Sequence, residues 1–155
     1  MNLAKRIAYL TGCAGLQAAM GAAAAQLHLE ILDAVPRPAE ETSGRATLDR
    51  GMVLIGLYST PAGFPDPGRA RFGARLPTSA PVRYSFTHIA PGTYAVAVFQ
   101  DLNGNGELDR GLLGRPKEPY GFSNGARAGL FGPPSFDEAS IRVGDDTRAR
   151  VRLQR

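Results

Sequence analysis

Tyr94-Ala-Val-Ala-Val-Phe99, followed at once by Gln100 and Asp101, is apolar at odd and even positions alike. An extended run that avoids water on both alternating faces belongs in the middle of a sheet covered on both sides. Met52 to Tyr58 reads the same way. Moving outward, Val82, Tyr84 and Phe86 alternate with Arg83, Ser85 and Thr87, so that strand offers one face to a core and the other to solvent. Leu27, Leu29 and Ile31 share one face near the start, and Ala149, Val151 and Leu153 stand against Arg148, Arg150 and Arg152 near the end. Ile141 and Val143 mark a further short strand, and Phe72 to Leu76 a weaker one. Gly and Pro clusters separate these runs, and no longer stretch carries a helical period. The expectation is an all-β chain: an antiparallel β-sandwich of about seven strands, immunoglobulin-like or transthyretin-like, with a small barrel as the alternative. The stripe of Arg148, Arg150 and Arg152 reads as a charged outward face that discourages edge pairing, in preference to an anion-binding surface.

Residues 1–25 read as a signal peptide. Lys5 and Arg6 form a basic n-region, Ile7 to Met20 is apolar and small, and the run Ala22 to Ala25 places cleavage before Gln26. The run is short of the ~20 strongly apolar residues that span a bilayer, so no transmembrane anchor is expected in the mature chain. Leu10-Thr-Gly-Cys13 is similar to a lipobox. Only Ile7 to Leu10 would precede it as apolar core, against the usual ~7 to 15 residues, so export to the periplasm or beyond is expected without lipidation at Cys13. Residues 26–155 would then form a single β-sandwich domain, with 34–50, rich in Pro, Glu, Thr, Ser and Arg, as a flexible insertion. Once Lys5 and Arg6 leave, the 18 basic residues fall to 16 (18 − 2) against 14 acidic ones, which gives nucleic acid no electrostatic foothold. Cys13 is the single cysteine and lies in the leader, so the mature domain has neither disulfide nor thiol chemistry. A bound ion is then a candidate for rigidifying its loops.

The candidate ion site is Asp101-Leu-Asn-Gly-Asn-Gly-Glu-Leu-Asp109. Asp101, Asn103, Asn105 and Gly106 fit the opening of the loop pattern D-x-[DN]-x-[DN]-G. On a tightly wound loop alternate residues turn their oxygens inward, and a hard cation such as calcium takes several of them. Glu107 would add its backbone carbonyl and Asp109 would ligate directly or through water. Leu112 stands where the bidentate Glu of a full EF-hand belongs, so water or a later acid, Glu118 being nearest, would complete the shell. The amide-rich ligand set points to weak, structural calcium. Two successive Asn-Gly pairs are also turn signals that need no metal.

A long irregular loop follows, Gly114 to Asp137. Tyr120 and Phe122, with Phe131 and Phe136, could line a groove for a small ligand, with Lys117, Glu118, Asn124 and Arg127 supplying polar contacts. The alternative is a loop whose aromatics cap the core. Gly121-Phe-Ser-Asn-Gly125 matches the G-x-S-x-G nucleophile elbow, which would make Ser123 a hydrolase nucleophile, but that elbow needs a strand-to-helix turn in a large α/β fold.

Gly92-Thr-Tyr-Ala-Val-Ala-Val-Phe-Gln-Asp101, the Asn-Gly-Asn-Gly loop, Pro116-Lys-Glu-Pro-Tyr-Gly-Phe-Ser-Asn124 and Phe131-Gly-Pro-Pro-Ser-Phe136 together closely resemble the bacterial exported domain family DUF2141. The resemblance implies an exported β-sandwich of unassigned function and carries over no catalytic residue. The functional expectation is a non-enzymatic binding or structural module with a calcium-stabilised loop, its partner an unknown small molecule or protein. The alternative is a periplasmic carrier of a small apolar or sugar ligand.

Overall fold

The computed structural model describes residues 24–35, 51–78 and 81–155. The expected leader up to Ala23 and most of the expected insertion lie outside these residues. Eight strands run in the order β1 (Ala25–Leu32), β2 (Met52–Tyr58), β3 (Phe72–Pro77), β4 (Val82–Ile89), β5 (Gly92–Asp101), β6 (Tyr120–Phe122), β7 (Ser140–Val143) and β8 (Thr147–Arg152). One four-residue helix, α1 (Phe136–Ala139), precedes β7. It starts at a capping box, Ser135 Oγ accepting from the Glu138 N–H while the Glu138 carboxylate accepts from the Ser135 N–H. Those Ser135 bonds hold the Glu138 carboxyl below its ordinary pKa.

The strands form two sheets. β4-β1-β8 is three-stranded, and the other runs β3-β2-β5-β6 with β7 also on β5. Sequence alternation explains why they face each other. Leu27, Leu29 and Ile31, with Val82, Phe86 and Val151, meet Val53, Ile55, Leu57, Val96 and Val98 in one buried cluster. Each such side chain contributes on the order of 1.5–3 kcal/mol of burial. Every pair is antiparallel except β1 with β8, which run parallel from Leu27↔Thr147 to Leu32↔Arg152. This corrects the purely antiparallel expectation: β1 and β8 are far apart in the chain, and no short hairpin between them constrains direction.

One further difference has a physical cause. The eighth strand, β6, lies inside the segment expected to be irregular. It is three residues long, follows Pro119 and has Gly121 at its centre, too little for an alternation signal. Gly121 is required there, because a Cβ would lie 2.3 Å from the Arg152 carbonyl oxygen. Ala25 is the first residue of β1, fully buried and paired with Ile89. Ala34 packs on the core, and the buried Gln100 amide bonds the Val35 N–H and C=O at 2.9 and 2.7 Å. The outward arginines pair with acids, Arg150 and Arg83 with Glu30 at 3.0 and 2.9 Å, Arg152 with Asp33 at 3.3 Å.

Candidate functional site

Phe99 and Asp101 point away from the shared core, because residues of β5 alternate and Val96 and Val98 point into it. Asp101 is fully buried where β5 ends. Its Oδ1 accepts from the N–H groups of Gly104 (2.7 Å) and Asn105 (3.2 Å), and its Oδ2 from that of Gly106 (2.7 Å). Gly104 and Gly106 have φ of 82° and 80°, a left-handed backbone that glycine adopts freely and that winds the loop around the carboxylate. The Arg75 guanidinium stands 3.6 Å from the same Oδ2.

The rest of the loop is stitched in the same manner. Asn103 Oδ1 accepts from Asn105 N–H at 3.0 Å, and Asn105 Oδ1 from Glu107 N–H at 2.8 Å. Both amide nitrogens donate to Asp109, at 2.6 and 3.0 Å. Glu118, 4% exposed, closes the loop from the far side, its Oε1 accepting from Leu102 N–H at 2.7 Å and its Oε2 from Asp109 N–H at 3.1 Å. The structure therefore brings Asp101, Asn103, Asn105 and Asp109 together, leaves the Glu107 side chain exposed, and uses Glu118 as the brace between the loop and β6. Each side-chain oxygen of those four faces an N–H donor. Among the described residues no group of three His, Cys, Asp or Glu side chains is arrayed as a metal site.

Beside this loop the outer face of the larger sheet is concave. Gly73, Gly56 and Ala97 stand in register across β3, β2 and β5, a row almost without side chains. The adjacent row, Arg75, Leu54, Phe99 and Tyr120, is again in register across four strands. On the other flank Tyr58, Phe64, Phe122 and Phe136 form an aromatic wall, with Phe64 centred 5.1 Å from Tyr58, 5.9 Å from Phe122 and 6.0 Å from Phe136. Tyr58 donates its hydroxyl to the Asp66 carbonyl at 2.8 Å, and burial, aided by the Asp66 charge, pushes its pKa up. The 63–70, 106–116 and 128–133 segments rise around the furrow to enclose about 1660 Å³. Five arginines border it, Arg69, Arg75, Arg110, Arg115 and Arg155, against two acids, Asp66 and Glu107. An apolar floor with a cationic margin suits a ligand with an apolar body and an anionic end.

Of the residues expected to contact a ligand, Tyr120 and Phe122 line this basin. Lys117 and Arg127 are exposed, and Asn124 is spent on a bond from its side-chain N–H to the Glu138 carbonyl at 3.0 Å. Leu54, Phe64, Phe99 and the margin arginines escaped sequence reasoning. The doubly apolar character of β2 and β5 was their signal, since an outer face of Leu54, Tyr58 and Phe99 needs a cover or a guest. Ser123 is fully buried: its Oγ accepts from Val96 N–H at 2.8 Å and donates to the Ala139 carbonyl. The His28 ring meets Ser85 and Asp146, and that of His88 meets Thr87, so neither is the base an elbow serine needs.

Comparison with curated proteins and with solved structures yields no match. A family model described as an uncharacterized protein conserved in bacteria, DUF2141, matches residues 45–151, more than half of the chain, running from β2 into β8 with the loop and all of the basin but Arg155. With that coverage, the chain belongs to the DUF2141 family.

Proposed function

We propose that the protein is an exported, non-enzymatic binding module of the β-sandwich type, immunoglobulin-like or transthyretin-like, which holds a small amphiphilic anion in the basin on its outer sheet face. The observation that carries this reading is the furrow of Gly73, Gly56 and Ala97, walled by aromatics and bordered by five arginines. A concave apolar face between the Tyr58 ring, which lies over Gly56, and a cationic margin suits a guest better than it suits water. Dodecyl phosphate below its micelle concentration is a suitable probe, with dodecyl maltoside as the neutral control, both titrated calorimetrically. Ala97→Phe fills the furrow and should reduce phosphate-headed binding at least about tenfold, the equivalent of ~1.4 kcal/mol. Equal affinity for the two detergents, or an unchanged affinity in Ala97→Phe, would refute the reading.

The 101–109 loop belongs to the same reading as a scaffold, with calcium as its auxiliary clip. Asn103 and Asn105 meet Asp109 from two sides, and a half-turn of each amide about χ2 would exchange nitrogen for oxygen at that point. The exchange gives up the amides' bonds to the Asn105 and Glu107 N–H groups, which fits a weak site. With a dissociation constant of ~1 mM, ~10 mM calcium should stabilise the fold by about 1.4 kcal/mol. An identical melting midpoint in calcium and in chelator would remove the ion from the proposal.

A further inference from the structure

Two loop tips on the margin of the basin carry large apolar side chains with no cover. Leu130 and Phe131 are 90% and 103% exposed, and Leu112 is 94% exposed. Isolated exposed apolar residues are ordinary. These are placed in an unusual way. Gly129 and Gly132 close a tight turn, the Gly129 N–H donating to the Gly132 carbonyl at 2.8 Å, and Leu130 and Phe131 are its two central residues. Those positions favour Gly, Asn, Asp and Ser. Nothing local calls for Leu-Phe at the apex.

The segments that carry the tips are mainly cationic, with Glu107 as an acid on the same margin. From Arg110 to Pro134 the chain holds four cations, Arg110, Arg115, Lys117 and Arg127, all exposed, and one acid, Glu118, which is buried against the loop. Arg110 and Arg115 line the same concavity as Leu130, so two cations share a margin with the 130–131 tip, and Arg127 lies three residues before that tip in the chain. An apolar tip ringed by cations matches a surface that is apolar beneath and anionic on top.

We propose that this margin docks on an anionic lipid surface, with Leu130 and Phe131 inserted at the level of the headgroups and Arg110, Arg115 and Arg127 against the phosphates. A second protein fits less well. Three protruding side chains offer at most roughly 500 Å² of contact, against the ~800 Å² per partner of a stable interface, and they form convex points with no flat face. A fluid interface accepts such points singly, and arginine heads snorkel to phosphate while their stems stay apolar. The docking does not depend on the ligand of the basin.

The chain has no tryptophan, so Phe131→Trp gives a single reporter at the apex. The full chain carrying that substitution is titrated with vesicles of phosphatidylcholine alone and of equimolar phosphatidylcholine and phosphatidylglycerol. The expected result is a blue shift on the anionic vesicles, weakened by salt and absent on the neutral ones. In co-sedimentation with the same anionic vesicles, Arg127→Glu should lower partitioning about tenfold or more relative to the parent. Leu130→Ser with Phe131→Ser should do the same. The apolar N-terminal segment is common to all variants and cancels in that ratio. An unshifted Trp emission, equal partitioning of the double serine variant, or equal shifts on both vesicle types would each overturn the proposal. So would concentration-dependent self-association that the double serine variant abolishes while vesicles leave the emission unchanged, which assigns the tips to a second copy of this chain.

Discussion

Asp101→Ala should unfold the protein more easily by about 3–4 kcal/mol, because one carboxylate organises the entire loop. Its two oxygens accept three backbone N–H bonds, from Gly104, Asn105 and Gly106. The Asn105 N–H keeps a second acceptor, Asn103 Oδ1 at 3.0 Å, so its loss costs little. The Gly104 and Gly106 N–H groups are bonded at 2.7 Å to a fully buried charge and have no alternative. Two hydrogen bonds to a charged acceptor are worth ~1.5–3 kcal/mol each. Removing the buried charge also spares its desolvation, which trims the sum. At roughly 3 °C per kcal/mol for a chain of this size, the midpoint should fall by about 10 °C. The assay is urea unfolding followed by far-UV circular dichroism, in chelator, so that only the protein's own bonds are read. A loss below about 1 kcal/mol would mean that water replaces the carboxylate at no cost, and that the loop is not anchored through Asp101.

Ser123→Ala leaves the Val96 N–H and the Ala139 carbonyl without their buried partner and should cost about 2 kcal/mol, read as a lower urea midpoint, while dodecyl phosphate affinity stays unchanged. A loss of affinity with no loss of stability would return Ser123 to the site. Gly121→Ala places a Cβ 2.3 Å from the Arg152 carbonyl oxygen and should cost about 3 kcal/mol or prevent folding; a near-neutral change would show that β6 does not pack that closely on β8. Glu30 is held below its ordinary pKa first by its hydrogen bond from Arg83 and then by that from Arg150. Its contribution is therefore complete above the unfolded-state value near 4.5 and is lost as pH falls through the lower folded value. Glu30→Gln should be less stable than the parent at neutral pH, with the gap closing in acid. A gap independent of pH across that window would assign the difference to packing.

Much of the sheet content is legible in the residues, because one-sided strands announce themselves. Leu27, Leu29 and Ile31 lie inward, as do Val82 and Phe86, and the Arg148, Arg150 and Arg152 stripe lies outward. What alternation does not convey is which strands are neighbours. The parallel pairing of β1 with β8 joins residues more than a hundred positions apart, and no turn chemistry records it. β6 escapes for a different reason. Its three residues are strand because β5 offers Ala97 to Phe99 as a partner and Gln154 pairs with Tyr120 on the other side. The loop from Asp101 to Asp109 is legible as a wound turn, since Asn-Gly pairs and an alternating acid-amide pattern are local signals. The role of Glu118 is not, because a brace between Leu102 and Asp109 depends on where β6 brings it. The basin arises from register between three strands, which no single segment contains.

The place of β1 bears on when the domain can form. It is the middle strand of β4-β1-β8, so among the described residues the strand synthesised earliest is completed on one side by the one synthesised latest. Until Thr147 to Arg152 has emerged, β1 has an open edge and lacks Val151 against it, and the smaller sheet cannot close. Such long-range closure slows folding and postpones it until the whole chain is available. Removal of β1 and removal of β8 should therefore cost the same sheet.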